Sequence, residues 1–426
     1  MANKEAKGVA LLNLGCRVNR VELDLMASDL IQLGCAIVEP ENAAAIIVNT
    51  CAVTAEAEAK TRKAIRHAAA LPHAPLVVAT GCVASLFADE LSSLAPNVVV
   101  EARKDMVAEV VMQELGCALN GVTDEGYLLQ KPTPTGRTRP GIKIQDGCNN
   151  RCSYCIVWKA RGAARSLDPA EVLRQVQEAQ EAGAHEVVLT GINLGSYTSR
   201  FAKKDVRLPG LLRLILKETT IERVRLSSLE PPDVDEALLE SIAASHGRIA
   251  PFLHICLQSG CDETLHRMRR AYGIELYRSA VAAARTYLPQ VALGTDLIVG
   301  FPGETEEEFE ESYAFCKEMN FSKMHLFRYS KRPGTPAADA PNQVPPQIMA
   351  ARAHKMRELA QKMRYDNARR LVGSTDLVIV QRPGKAVSSG LFDVMIDEDI
   401  PLDSLVPVHF ESVLKDATLK ASIITA

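Results

Sequence analysis

The sequence lacks features that would assign it at once to a membrane, secreted or strongly basic class of protein. It contains no apolar run approaching the roughly 20 residues that cross a bilayer, so we expect no membrane partner. Its first residues are polar and show no secretory signal, so we expect a cytoplasmic location. Its net charge of −3 gives no overall basic field for nucleic acid, although a local basic patch would be enough.

What the sequence does have is cysteine. Eleven cysteines without a secretory signal favour metal or redox chemistry over disulfides. Cys148, Cys152 and Cys155 form a C-x3-C-x2-C loop just after a predicted strand at 141–145. Three thiolates leave one iron of a cubane cluster open, and an open metal position can bind a substrate or cofactor. The alternatives are an incomplete zinc knuckle or three unrelated thiols.

Residues 1–118 are predicted to form an α/β domain with a parallel sheet. Apolar runs at 9–14, 45–50 and 76–80 indicate buried strands, and each precedes a helical pattern. Cys16, Cys51 and Cys82 follow these strands, and carboxyl ends of parallel strands share one edge of a sheet. We therefore predict a second three-cysteine cluster, the alternative being ordinary buried thiols.

A stretch rich in proline, threonine and basic residues, 131–140, is predicted to be an extended connection, and we place the linker itself at 119–135. Its Arg137 and Arg139 either contact phosphate or are solvated. Six strand–helix alternations follow, fewer than the eight of a full barrel, so residues 136–365 are predicted to form a partial (β/α)6 barrel with a trailing basic helix. The predicted strands are 141–145, 186–190, 223–227, 252–258, 291–299 and 322–329.

Polar residues follow or end several of these strands, at the rim where a barrel binds its ligands, and Asp296 lies within the fifth strand. The candidates for contacts to a cofactor are Asn193, Glu230, Gln258 and Asp296. Asp296 could equally be a satisfied core carboxylate, and Thr305 is predicted to cap a helix.

The last residues, 366–426, are predicted to form a small antiparallel β-barrel with strands at 375–381, 391–396, 406–411 and 419–424. Its exposed charge is mainly acidic: Asp393, Asp397, Glu398, Asp399 and Asp403. It either contacts RNA without much charge or has a purely structural role. The preceding basic helix, 347–371, is either a solvated face or tracks phosphates.

The cysteine loop resembles the signature of radical S-adenosylmethionine (SAM) enzymes. The resemblance implies a [4Fe-4S] cluster on Cys148, Cys152 and Cys155 whose open iron chelates SAM, which is cleaved to a 5′-deoxyadenosyl radical. The candidate polar contacts then become a SAM pocket. Gly15-Cys16-Arg17-Val18-Asn19, Asn49-Thr50-Cys51 and Thr80-Gly81-Cys82 resemble the methylthiotransferases, in which a second [4Fe-4S] cluster supplies or carries sulfur.

Within that family, His254–Asp262 and Leu189–Tyr197 look most like the branch that acts on N6-threonylcarbamoyladenosine in tRNA. The resemblance implies two SAM molecules, a tRNA anticodon stem-loop, an electron donor such as flavodoxin or ferredoxin, a sulfur source, and a TRAM-like C-terminal barrel. Isopentenyladenosine in tRNA or a ribosomal-protein aspartate are alternative substrates. A metal-stabilised, non-catalytic RNA-binding protein is the alternative of another class.

Overall fold

The computed structural model describes residues 7–117, 138–397 and 400–424. Most of the predicted connection, with Arg137, lies outside these residues, as do Glu398 and Asp399. The predicted domain boundaries near the connection also fall outside them and stay predictions. Across the described ranges, no helix is both long and apolar enough to cross a membrane.

The N-terminal part is a five-stranded parallel sheet in the order β2-β1-β3-β4-β5 with helices on both faces, as predicted. Buried β3 is apolar along most of its length, as a central parallel strand requires. The helical pattern predicted after the strand at 76–80 is divided into α3 and α4, because Phe87 leaves the helical region at φ −138°. The elements are β1 (Gly8–Asn13), α1 (Arg17–Gln32), β2 (Ala36–Ile37), β3 (Ala45–Thr50), α2 (Ala55–Ala69), β4 (Leu76–Gly81), α3 (Cys82–Leu86), α4 (Ala88–Ser92), β5 (Val98–Val100) and α5 (Val107–Glu114).

The central part contains the six predicted parallel strand segments. β6, β9 and β12 form one sheet, and β13, β14, β15 and β16 form the next; β12 and β13 are two stretches of one segment interrupted at Ser227. Among the described residues β6 and β16 do not pair, so the barrel is open between them. The elements are β6 (Gly141–Lys143), β7 (Gln145–Asp146), α6 (Val157–Arg161), β8 (Arg165–Ser166), α7 (Pro169–Glu181), β9 (Glu186–Thr190), β10 (Thr198–Phe201), β11 (Lys204–Arg207), α8 (Leu208–Glu218), β12 (Arg223–Leu226), β13 (Ser228–Leu229), α9 (Glu236–Ala243), β14 (Phe252–Ile255), α10 (Asp262–Arg267), α11 (Ile274–Tyr287), β15 (Ala292–Val299), α12 (Glu306–Met319) and β16 (Lys323–Arg328).

Side chains alternate along these strands between a helix-covered face and an inner face. Val187, Leu189 and Val224 belong to the apolar core with the helices. The alternate positions, among them Glu186 and Arg225, form an inner face that we call the lumen. It is unusually polar, as a binding chamber would be.

The predicted cap at Thr305 is confirmed, because Thr305 forms a capping box with Glu308 at the start of α12. Asp168 likewise caps α7 by accepting a hydrogen bond from the Ala170 N–H at 2.8 Å. Another local prediction is wrong. The strand predicted at 252–258 instead ends at Ile255. Gln258 has φ +68°, which a continuing strand does not allow, and it meets β15 only through an isolated bridge to Leu297.

The C-terminal part is a closed five-stranded barrel in the order β17-β18-β19-β21-β20. Its pairing is antiparallel, as predicted, except that β19 and β21 are parallel. It packs against the amino ends of the central strands, where Phe252 and Ala292 join its apolar core. The elements are α13 (Pro346–Arg370), β17 (Thr375–Arg382), β18 (Lys385–Val387), β19 (Asp393–Met395), β20 (Leu405–Val413) and β21 (Leu419–Ile423).

Candidate functional site

The first cysteine group lies at the carboxyl edge of the N-terminal sheet. Cys16 precedes α1, Cys51 directly follows β3, and Cys82 begins α3 directly after β4. Because β1, β3 and β4 are neighbours, the fold brings the three thiols to one edge. Burial, helped by the nearby thiols of Cys16 and Cys82, raises the pKa of Cys51 to about 11.

Backbone geometry fixes this edge. Gly81, with φ +91°, lets the chain turn from β4 into α3. A larger residue would not fit here, because its Cβ would lie 2.4 Å from Asn49 Oδ1. Asn19 Nδ2 donates to the Thr50 carbonyl at 2.7 Å, and Asn49 Nδ2 donates to the Asn19 carbonyl at 2.7 Å. These bonds tie the segment after Cys16 to the segment before Cys51.

The second group is the loop after β7. Gly147 has φ +69°, and the Ala163 carbonyl approaches it so closely that a Cβ at this position would lie 2.0 Å from the carbonyl oxygen. The next residue is also fixed, because the Cys148 N–H donates to the Gly162 carbonyl at 3.1 Å. The Cys155 N–H donates to the Cys152 carbonyl at 3.1 Å. Burial raises the pKa of Cys155 to about 12, and the neighbouring thiols of Cys152 and Cys148 add to the shift. Metal binding at this loop must therefore displace protons.

A charged network that the sequence did not reveal supports this loop. Arg270 Nη1 donates to Cys152 Sγ at 3.0 Å, and Arg270 Nη2 pairs with Glu230 at 2.6 Å. Asn150 Nδ2 also donates to both oxygens of Glu230 at 3.1 Å. Glu230 is thus placed beside the cysteine loop, as a ligand-binding carboxylate would be. The sequence did not single out Arg270, because a cationic residue near the end of a helix is usually explained by its favourable interaction with the helix C-terminus.

Asn193 lies on the other side of the loop. Its N–H donates to Gln145 Oε1 at 2.8 Å, and Gln145 Nε2 donates to the Gly147 carbonyl at 2.9 Å. The buried Oδ1 atom of Asn193 has no hydrogen-bond partner within the described part of the chain. An orphaned buried acceptor is costly unless a ligand satisfies it, so Asn193 fits a cofactor contact.

Gln258 and Asp296 lie together on the lumen side. The Gln258 N–H donates to the Asp296 carbonyl at 2.9 Å. The Asp296 carboxylate lies 3.2 Å from His254 Nε2 and 3.6 Å from His325 Nδ1. Burial would raise the pKa of Asp296, but hydrogen bonding and charge from the two histidines lower it overall. Asp296 is thus a partnered carboxylate within the lumen wall.

The spacing of the thiols tests which metal each cysteine group suits. Among the described residues, three ligand atoms that all lie within 4.8 Å of one another are those of His254, Cys256 and Asp296, and the three thiols of neither cysteine group lie that close together. A single zinc ion, with thiolates at about 2.3 Å, requires such close ligands. A [4Fe-4S] cluster bonds each thiolate to a separate iron and does not require them, so three thiols and one open iron are compatible with each group.

The two cysteine groups are held in one assembly by a buried ionic network. Arg161, at the end of α6, pairs with Glu22 of α1 at 2.8 Å and with Asp146 at 3.0 Å. Its Nη2 also donates to Asn19 Oδ1 at 2.6 Å. Burial opposes the charge of Glu22, but Arg161 and Lys143 lower the pKa of Glu22 to about 2. The N-terminal sheet is thereby locked to the barrel beside the cysteine loop.

Another buried network lies lower in the lumen. Glu186 is fully buried and pairs with Arg223 at 2.5 Å and Arg225 at 2.8 Å, with Arg139 at 3.8 Å. Arg223 also donates to the Leu377 carbonyl at 2.7 Å, and Arg225 donates to the Ser389 carbonyl at 2.7 Å. The C-terminal barrel thus closes the lumen at the end opposite the cysteine loop.

Comparisons with known proteins agree with this arrangement. A model of the radical SAM superfamily matches residues 142–316, and a model described as uncharacterized protein family UPF0004 matches residues 8–101. A radical SAM methyltransferase, TsrM from Kitasatospora setae, shares the fold with a TM-score of 0.55 and 17% identity over 78% of this chain and 74% of that chain. The fold and the cysteine loop define an enzyme of the radical SAM class, whose cofactors are SAM and [4Fe-4S] clusters.

Curated relatives narrow the class. The threonylcarbamoyladenosine tRNA methylthiotransferase MtaB of Bacillus subtilis (strain 168) is 37% identical over 84% of this chain and 82% of its own length. Its namesake in Thermotoga maritima is 34% identical over 88% of this chain and 87% of its own length. The tRNA-2-methylthio-N(6)-dimethylallyladenosine synthase of Erythrobacter litoralis is 31% identical over 93% of both chains. The chain belongs to the methylthiotransferase family.

Proposed function

We propose that this chain adds a methylthio group to C2 of N6-threonylcarbamoyladenosine beside the anticodon of tRNA. The observation that carries the proposal is the 34–37% identity, over most of both chains, to relatives named for that reaction. The presence of both cysteine groups, each at the carboxyl edge of its own parallel sheet, supports it. The tRNA anticodon loop suits such an enzyme because its bases can be splayed out of the stack.

Each part of the site has a role in the proposal. Cys148, Cys152 and Cys155 would hold the cluster that binds SAM, and Cys16, Cys51 and Cys82 would hold the cluster that presents sulfur. When bound, these groups supply the one-electron chemistry that an unactivated C–H bond requires. Asn193, Glu230, Gln258 and Asp296 would line the SAM pocket, and Asn193 Oδ1 and Glu230 are the best placed for it.

The chain's own residues prepare this chemistry. Arg270 donates to Cys152 Sγ and would stabilise negative charge on a cluster held there. Arg161 fixes the N-terminal cysteine edge against the barrel, and the C-terminal barrel keeps the lower end of the lumen closed. A cytoplasmic location, two SAM molecules per turnover, a flavodoxin- or ferredoxin-like electron donor and a sulfur source complete the proposal.

The test is nucleoside mass spectrometry of tRNA from cells lacking the gene and cells carrying it back. We expect the methylthio mass on threonylcarbamoyladenosine to disappear and return. Restoration with a Cys148→Ala variant should fail, whereas a Cys117→Ala variant, which alters a thiol outside both groups, should restore the product. No change in any tRNA nucleoside would refute the proposal and direct attention to a protein aspartate as substrate.

A second candidate substrate is isopentenyladenosine, because relatives at 29–31% identity are named as dimethylallyladenosine synthases. A change on that nucleoside in the same experiment would support it instead. The non-catalytic alternative predicts RNA binding with no SAM turnover, and anaerobic protein that turns over SAM in the presence of a reductant would exclude it.

A further inference from the structure

The arginine network low in the lumen carries more positive charge than the one carboxylate that pairs with it. Glu186 is the acidic group at the centre of Arg139, Arg223 and Arg225. Buried N–H groups of two of these arginines, at Arg139 Nη1 and Arg223 Nη2, have no hydrogen-bond partner in the part of the chain that the structure describes. Unsatisfied buried donors beside excess positive charge are the features of an anion-binding site.

Arg17 adds a further cation to this region from the N-terminal sheet. It directly follows Cys16 at the start of α1, and α1 packs against β6, where Val21 fills the space beside Gly141. Its side chain is exposed to solvent, with no ion-pair or hydrogen-bond partner among the described residues. Arg17 therefore stands beside Cys16, on the helix that packs against the β6 edge of the open barrel.

Lys323 approaches the same place from the other side of the opening. It begins β16, the strand that leaves the barrel open opposite β6, and its amino group has no partner among the described side chains. Burial and the charges of Arg364 and Arg17 lower the pKa of Lys323, while Asp393 acts in the opposite direction. Two cations from different parts of the fold thus stand on the two edges of the open barrel, Arg17 on the helix beside β6 and Lys323 on β16.

We infer that Arg17 and Lys323 bind the carboxylate carried by the N6 substituent of the target adenosine, and thereby select the threonylcarbamoylated base over neutral ones. This inference rests on the proposed function. C2 and C6, the atom that bears the N6 substituent, belong to the same six-membered ring, so a residue that recognises the substituent must lie near the residues that serve C2. Arg17 meets this condition, because it is bonded to Cys16 of the first cysteine group.

A backbone phosphate of the RNA is the other source of an anion. We favour the carboxylate because the two cations flank the opening between β6 and β16, through which a splayed-out base can enter the lumen. A phosphodiester stays with the strand outside. The two sources differ in a testable way, because the carboxylate can be neutralised without altering the phosphates.

The experiment measures the dissociation constants of two anticodon stem-loops for the anaerobically reconstituted enzyme. One RNA carries N6-threonylcarbamoyladenosine, and the other carries the same base with its carboxylate converted to a primary amide. Because Arg17→Gln removes a charge-assisted hydrogen bond to the carboxylate, it should weaken binding of the acid RNA by about tenfold or more. The amide RNA should lose less than about twofold, and Arg17→Lys should retain most of the preference for the acid.

Lys63→Gln is the control, because Lys63 is an exposed α2 residue of the same sheet domain and its loss removes one positive charge elsewhere. It should leave the ratio of the two dissociation constants unchanged. Equal losses on both RNAs in Arg17→Gln would overturn the inference and identify a phosphate contact, and no loss on either would remove Arg17 from the RNA site. Product formation by the wild type on the acid RNA is measured separately. Absence of the methylthio product there would show that the proposed substrate is wrong, whatever the effect of Arg17→Gln on binding.

Discussion

The buried Glu186 allows a sharp test of the lumen network. Replacing it by glutamine keeps the side-chain shape but removes the charge that offsets Arg223 and Arg225, both of which are almost completely buried. Breaking a buried ion pair by removing one charge costs about 3–5 kcal/mol, because the partner charge remains without compensation. We therefore expect the Glu186→Gln variant to be destabilised by about that amount.

The pKa of Glu186 gives an independent estimate of the same quantity. Burial would raise it, but Arg225 and Arg223 lower it from 4.5 to about 2. A depressed carboxylate pKa contributes stability above pH 4.5 that is lost as the pH falls towards 2. At about 1.36 kcal/mol per pH unit, the contribution at neutral pH is about 3 kcal/mol, in agreement with the first estimate.

Thermal unfolding of the metal-free protein, followed by circular dichroism at pH 7, is the measurement. For a domain of this size, about 2–4 °C per kcal/mol gives a fall in the melting temperature of the barrel between about 6 and 20 °C. Glu222→Gln is the matched control, since Glu222 is half-exposed in an ion pair with His185 and should cost under about 1 kcal/mol. A Glu186→Gln melting temperature within 2 °C of the control, with ~2 °C taken as the least shift for one kcal/mol, would refute the reasoning.

Three further predictions concern the cysteine groups and their contact. Cys148→Ala and Cys51→Ala should each lose about half of the bound iron, because each removes a ligand of a different cluster, and iron analysis of anaerobic protein measures this. Arg270→Met should make the reduction potential of the barrel cluster more negative, since it removes a positive charge and a hydrogen bond to Cys152 Sγ, as a redox titration followed by electron paramagnetic resonance would report. Arg161→Gln should leave Glu22 without its main buried partner and increase proteolysis between the N-terminal sheet and the barrel.

Each of these has its own control or contrary outcome. Retention of full iron in either cysteine variant would remove that residue from the ligand set. Arg269→Met, at the exposed neighbouring position, should leave the potential unchanged, so equal shifts in both variants would point to a general charge effect. Proteolysis of Arg161→Gln at the wild-type rate would mean that the remaining contacts hold the two parts together.

Regular elements with strong local signals could be predicted to the residue. β9 is a wholly buried strand between two polar segments, and α12 begins at a capping box, so hydrophobic pattern and cap fix both ends. The hairpin of β10 and β11 was missed because it is largely exposed and polar, with Val206 as its buried apolar residue. Exposed strands of this kind are stabilised by cross-strand pairing, and the hydrophobic pattern of a sequence gives no information about pairing.

The candidate site also contains residues that could be predicted from the sequence and residues that could not. Its cysteines could be predicted because each follows a strand end, and the fold brings them to the expected edges. Arg223 and Arg225 could not, because an arginine within an apolar strand has no visible partner until Glu186 of another strand lies beside it. Charge networks of this kind depend on contacts far apart in sequence, as do the bonds from Arg270 to Glu230 and Cys152.

The docking of the C-terminal barrel has a consequence for how the enzyme is made. Carbonyls at Leu377 and Ser389 satisfy arginines of β12, so the chamber gains its floor from a segment synthesised well after the central strands. Domains otherwise tend to fold in order of synthesis. The central barrel must therefore wait, with these buried arginines unsatisfied, until the C-terminal barrel has been made. A nascent chain that stalls near residue 370 would expose that unfinished chamber to chaperones and proteases, so truncation would reduce the amount of enzyme before it affected any contact with RNA.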